Sequence, residues 1–169
     1  MRVMKKDLEV YTLLTRTGHA TRNQLLELTS QNRLKDITRK NYLKKTKTIL
    51  ENGEILVSYK LDELGKKSLE KERYIDGYYS ARSPEHDIKL AEKYLSLNSV
   101  ERDTWVIEQK NEVFLNRKFN DQMSMPDASY LKNGRRIFIE AITKHYSLAQ
   151  IQEKYEFVDA TNGTLEILE

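Results

Sequence analysis

Near the start of the chain, apolar residues recur at intervals of three and four. From about Met4 to Thr17, Leu8, Val10, Tyr11 and Leu14 share one broad face, which predicts an amphipathic helix with Gly18 as its left-handed stop. Thr21 opens a second helix, because Gln24 three residues on completes a capping box in which hydroxyl and amide each satisfy a backbone N–H. Leu25, Leu26 and Leu28 follow, and Thr29-Ser30-Gln31-Asn32 supplies a break. A third helix is predicted over about Asp36 to Leu50. At about 100° per residue, Tyr42, Leu43, Thr46, Ile49 and Leu50 gather on one side, and Lys40, Asn41, Lys44, Lys47 and Thr48 on the other.

After Asn52-Gly53 the period changes. Ile55 to Leu61 and Tyr74 to Ser80 have the β-branched and aromatic content of strands. The charged stretch between them, Asp62 to Arg73, reads either as a basic wing carrying Lys66, Lys67 and Lys71 or as a fourth short helix around Leu64 and Leu69. A helix near Glu85 to Leu97 precedes strand-like segments at Trp105 to Ile107 and Val113 to Phe119. Asn133-Gly134 is a hairpin signal before the alternating strand Arg136 to Thr143. Ser147 with Gln150 makes a second capping box, opening a helix whose Leu148, Ile151 and Tyr155 are expected to face a core.

Composition narrows the function classes. The 169 residues suit one domain or two small ones, and 33% charged residues with regular patterning describe a folded chain. No apolar run approaches the roughly 20 residues of a membrane span, and the start Met-Arg-Val-Met-Lys-Lys lacks a signal's apolar stretch, so a cytoplasmic protein without membrane contact is expected. With no Cys, and His19, His86 and His145 far apart, neither a thiolate nor an imidazole metal cluster is expected. Residues 1 to 80 hold 17 Lys+Arg against 11 Asp+Glu, whereas the remainder holds 12 against 15. A basic first half is the electrostatic footprint of a module that meets phosphate, although a solvated helix face has the same composition.

These features predict an α+β protein in two parts: a winged helix-turn-helix over residues 1–80 and a small α/β domain over 81–169. In the first part, Thr38, Arg39, Lys40, Asn41, Lys44, Lys45 and Lys47 of the recognition helix, with Arg33 and Lys35 just before it, are the candidate contacts to double-stranded DNA. Lys66 and Lys67 are candidate phosphate contacts from the wing.

The chain resembles the replication-relaxation family of plasmids and other mobile elements. The resemblance is carried by the basic helix-turn-helix, the helix start Glu85-His86-Asp87, the turn Pro126-Asp127-Ala128 and the strand Ile137-Phe138-Ile139-Glu140-Ala141. It implies a winged helix followed by a degenerate domain similar to the PD-(D/E)XK nuclease fold, and a role in replication, relaxation or conjugative transfer. A relaxase or replication protein would be the partner, with a homodimer as a further expectation. A winged-helix transcriptional regulator and a metal-dependent nuclease are the alternatives.

Nuclease chemistry of that type needs two carboxylates to hold a divalent metal and a lysine two residues after the second. Asp127 and Glu140 supply the acids and Glu85 a third, but residue 142 is Ile. Lys144, aligned with Glu140 by the two-residue period of a strand, is the nearest substitute. The expectation is therefore a protein without catalytic residues, metal or cofactor, in which Asp127 closes a turn and Glu140 is a structural acid.

Overall fold

The structure, a computed structural model, describes residues 3–72, 75, 77–79, 83–107, 124–144 and 146–169. It is a mixed α and β protein with seven helices among the described residues and two separate sheets, divided into a unit of Met1–Leu95 and one of Ser96–Glu169.

The first unit begins with α1 (Lys5–Thr17), which buries Val10, Tyr11, Leu13 and Leu14 and ends at Gly18, φ 83°. A short β1 (His19–Thr21) leads into α2 (Arg22–Leu28), capped by the expected Thr21–Gln24 box. Next come α3 (Gln31–Arg39), β2 (Leu43–Ile49), β3 (Ile55–Leu61), α4 (Glu63–Glu72) and α5 (Pro84–Ser96). The strands form one antiparallel sheet in the order β1-β3-β2.

The predicted helix over 36–50 is not one element. Its start lies earlier, where Ser30 Oγ accepts the Arg33 N–H at 3.3 Å, and it stops at Asn41, whose φ of 59° is left-handed. The Tyr42 N–H returns to the Ile37 carbonyl and closes the end. Asparagine is the commonest stand-in for glycine at such a stop. Beyond it, Leu43 to Ile49 pair with all seven residues of β3. Thr46, Thr48 and Ile49 are β-branched and stiff at χ1, so the paired strand outcompetes a helix there.

The charged stretch after Leu61 resolves in favour of a helix, α4, over its described residues, and Gly65 is the residue that lets it close on its neighbours: an added Cβ would stand 2.3 Å from the Tyr42 carbonyl oxygen. Of the predicted strand 74–80, residues 75 and 77–79 carry no strand, and Tyr74, Asp76 and Ser80 lie outside the described residues. Tyr79 instead donates its N–H to the Thr15 carbonyl at 2.8 Å.

The second unit contains α6 (Ser99–Asp103), β4 (Val106–Ile107), β5 (Ala128–Lys132), β6 (Arg135–Ala141), α7 (Leu148–Ala160) and β7 (Thr164–Leu168). Its sheet runs β4-β5-β6-β7. The first three strands are antiparallel, and β7 lies parallel to β6 after the α7 crossover. The Asn133-Gly134 turn has φ of 51° and 76°, as a two-residue hairpin requires. Trp105 stacks on Tyr130, and Phe138 meets Phe157 edge to face at 5.6 Å. The predicted strand 113–119 lies outside the described residues.

The core face of α7 differs from expectation. Lys154, Phe157 and Val158 are buried, while Leu148 is 86% and Tyr155 42% exposed. A competing stripe of Lys154, Phe157 and Val158 wins because Phe157 locks edge to face onto Phe138, with Val158 in the same core.

Candidate nucleic-acid interface and a buried carboxylate–lysine cluster

Leu34 and Ile37 face the core of the first unit, which turns Gln31, Lys35 and Arg39 outward along the opposite side of α3. On β2, alternation sets Lys45 and Lys47 on one face and Lys44 on the other. Lys45 lies directly across from Tyr59 of β3. Between α3 and this face is a groove of about 300 Å³ lined by Arg22, Gln31, Leu34, Lys35, Thr38, Arg39, Lys45 and Tyr59. Four of these residues are cations, Leu34 and Tyr59 make an apolar floor, and no carboxylate stands among them.

The other candidate contacts are employed differently. Arg33 turns inward: its Nε donates to Asp7 Oδ1 at 2.8 Å and its Nη2 to Asp7 Oδ2, and Asp7 is fully buried. The hydrogen bond to Asp7 holds the Arg33 guanidinium above its usual pKa. Asp36 gathers Arg33, Arg39 and Lys40 at 3.2, 3.1 and 3.3 Å, although the Arg39 side chain stays 77% exposed. Asn41 forms the helix stop, and the Thr38 hydroxyl donates to the Leu34 carbonyl. Lys66 and Lys67 ride on α4, with Lys66 paired to Glu63 at 2.7 Å and 5.5 Å above the Tyr78 ring. Arg22, Gln31 and Tyr59 were missed by sequence reasoning. Only Arg22 carried a signal, as a cation immediately after the Thr21 cap.

A second polar assembly pins α5 within the same unit. His19 Nδ1 meets Asp87 Oδ2 at 2.8 Å, and His86 Nδ1 meets Asp87 Oδ1 at 3.1 Å, all three residues being buried. Gln24 adds a bond from its amide to the Ile88 carbonyl. Glu85, the proposed third acid, is exposed in the first turn of this helix.

In the second unit the structure brings Asp127 and Glu140 together where β5 begins and β6 ends, away from the hairpin turn. Asp127 Oδ2 accepts the Ala141 N–H at 2.9 Å, and Glu140 Oε2 accepts the Asp127 N–H at 3.1 Å. Glu140 Oε1 takes the Tyr146 hydroxyl at 2.7 Å and the Lys154 ammonium at 3.2 Å. Lys154 also donates to the Met125 carbonyl. Burial, reinforced by the charge of Asp127, raises the Glu140 pKa above its ordinary value, and Lys154 and Tyr146 oppose the shift.

Lys144, the substitute named for the nuclease alternative, does not stand beside Glu140. Lys144 is exposed in a turn beyond the end of β6 at Ala141, where the two-residue period no longer applies, and Lys154 of α7 fills the place beside Glu140. Its only signal in the sequence is a lone lysine at the head of the Phe157-Val158 stripe.

As the side chains stand, they do not fit a divalent cation. Asp127, Glu140 and Lys154 are 0%, 1% and 2% exposed, and the ammonium already occupies the oxygen a metal would need. Among the described residues no group of three His, Cys, Asp or Glu side chains is placed to hold a metal ion.

No protein-family model, curated protein or solved structure matches this chain. No helix among the described residues is long and apolar enough to cross a membrane.

Proposed function

We propose that this is a DNA-binding protein whose first unit docks on duplex DNA through α3 and the lysine-bearing base of the β2–β3 hairpin, in the manner of a winged helix-turn-helix. The observation that carries the reading is the groove ringed by Arg22, Lys35, Arg39 and Lys45, with no carboxylate among its lining residues. Helix α3 is narrow enough for a major groove about 12 Å wide. Gln31, Lys35 and Arg39 are its outward side chains and have the donors that base edges accept. Lys45 and Lys47, one strand pleat apart, suit successive phosphates.

The role on mobile-element DNA, in replication, relaxation or transfer, rests on the sequence resemblance. The succession of three antiparallel strands, a helix and a parallel strand supports a degenerate nuclease-like second unit that docks a larger replication or relaxation enzyme. Fluorescence anisotropy on duplex DNA at several salt concentrations tests the interface. Lys35→Ala, Arg39→Ala and Lys45→Ala should each lower the log–log salt slope by about one, and Lys67→Ala should leave it unchanged. Equal slopes for all four, or no duplex binding by the full chain, would sink the reading.

One observation favours a second reading, metal-dependent cleavage: Lys154 joins the two carboxylates that such chemistry uses. The closed, internally neutralised state of the cluster weighs against it, and we assign these side chains a structural role. Nicking of plasmid DNA with Mg²⁺ or Mn²⁺, lost in Asp127→Ala, Glu140→Ala and Lys154→Ala alike, would reverse that assignment.

A further inference from the structure

The tip of the β2–β3 hairpin has the wrong chemistry for DNA. Ile49 and Ile55 are cross-strand partners, 76% and 63% exposed, and the turn above them carries the exposed Glu51 and Glu54. The turn is well built: Gly53 donates to the Leu50 carbonyl, Leu50 to the Glu54 carbonyl, and Glu54 to Asn52 Oδ1 at 3.0 Å. Two apolar and two acidic side chains are therefore held out together on a defined support. Phosphate repels such a tip, whereas an apolar floor with a cationic rim complements it.

The groove beside α3 has that floor, Leu34 and Tyr59, and that rim, Arg22, Lys35, Arg39 and Lys45. A hairpin tip cannot enter the groove at its own base. Ile49 lies four residues along the same strand from Lys45, about 14 Å at the usual rise. A second copy can. Lys45, Lys47 and Ile49 alternate onto one face of β2, with Tyr59, Val57 and Ile55 opposite them, so groove and tip look out from the same side of the hairpin. A two-fold axis parallel to that face and perpendicular to the strand sets each tip over the other copy's groove. The contact is isologous and closes at two.

We propose that the chain self-associates in this way, each hairpin tip seating Ile49 and Ile55 in its partner's groove and opposing Glu51 and Glu54 to the cationic rim. The pairing stands on the tip and groove alone. Its consequence, that a second copy and duplex DNA compete for one surface, rests on the DNA reading above.

Sedimentation of the full chain at low salt, without DNA, tests the pairing. The wild type should dimerise, and Ile49→Ser/Ile55→Ser, at exposed positions and checked for retained helicity, should weaken the dimer at least about tenfold. Glu51→Lys/Glu54→Lys should do the same, and mixing it with Lys35→Glu/Arg39→Glu should restore association. The serine variant should bind duplex DNA as tightly as the wild type or more tightly. A wild type that stays monomeric up to about 100 μM, corresponding to an association no stronger than roughly −5 kcal/mol, would overturn the proposal. So would a dimer indifferent to the tip substitutions, or a serine variant that loses DNA affinity, which would place the tip on DNA. A dimer that responds as expected in a protein with no duplex binding upholds the pairing and removes the DNA reading.

Discussion

The first unit carries its cations on the surface, and the second unit has drawn one into its core. Lys35, Lys44, Lys45 and Lys47 are exposed, hydrated and cheap to carry, so folding leaves them available to a phosphate. Lys154 is 2% exposed, and its ammonium is committed to Glu140 and the Met125 carbonyl. Removal from water costs several kcal/mol per ion unless a partner offsets it, so the same residue type stays in solvent in one place and provides internal neutrality in the other. Arg33 shows the two regimes within one helix: it follows the basic pattern of α3 yet points at buried Asp7.

The largest expected effect tests that commitment. Lys154→Met strands the buried Glu140 and should destabilise the second unit by about 3 to 5 kcal/mol. Trp105 is the only tryptophan and lies buried in that unit, so its fluorescence in urea reads the loss directly. Adding Glu140→Gln should recover most of it, and no recovery would mean that the ions are not coupled as described. Asp7→Ala should cost less, about 2 kcal/mol, because Arg33 keeps Asp36 as a partner and 18% of its side chain in solvent. Faster amide exchange along α1 and α3 would register it.

Acidity offers a gentler handle. Burial holds the Glu140 pKa above its ordinary 4.5, so above that pH the folded unit retains a proton that the unfolded chain has released. Stability contributed by Glu140 is thus full below pH 4.5 and declines as pH rises through its folded pKa. Urea midpoints read by Trp105 should drift downward over that window, and Glu140→Gln should flatten the drift; a rising midpoint would contradict the environment described for this carboxyl. The smallest change in stability belongs to the surface lysines. Lys45→Ala should leave stability within about 0.5 kcal/mol of the wild type, its effect appearing instead in the proposed binding at the groove.

Punctuation was legible in the sequence because its causes are local. Gly18, the Thr21–Gln24 and Ser147–Gln150 boxes and the Asn133-Gly134 turn each act through backbone groups within four residues, and each stands where the sequence places it. Asp127 and Glu140 were named by the sequence only as separate acids, and it is the β5–β6 pairing that sets them side by side. Residues 43–49 satisfy a helical period and a strand period alike, and β3, twelve residues on, decides between them. Arg33 looks like an interface cation until Asp7, 26 residues earlier, claims it.

By itself, the sequence determined the caps and turns at Gly18, Thr21, Asn133-Gly134 and Ser147, and the basic character of the first unit. Tertiary structure decided which lysine meets Glu140, which face of α7 enters the core, that Thr164–Leu168 adds a fourth strand, and that four cations share one groove. Caps and turns are set by neighbours along the chain. A buried charge, a strand partner or a groove is set by residues that only folding brings together, and their cost or gain is paid in desolvation that no local window contains.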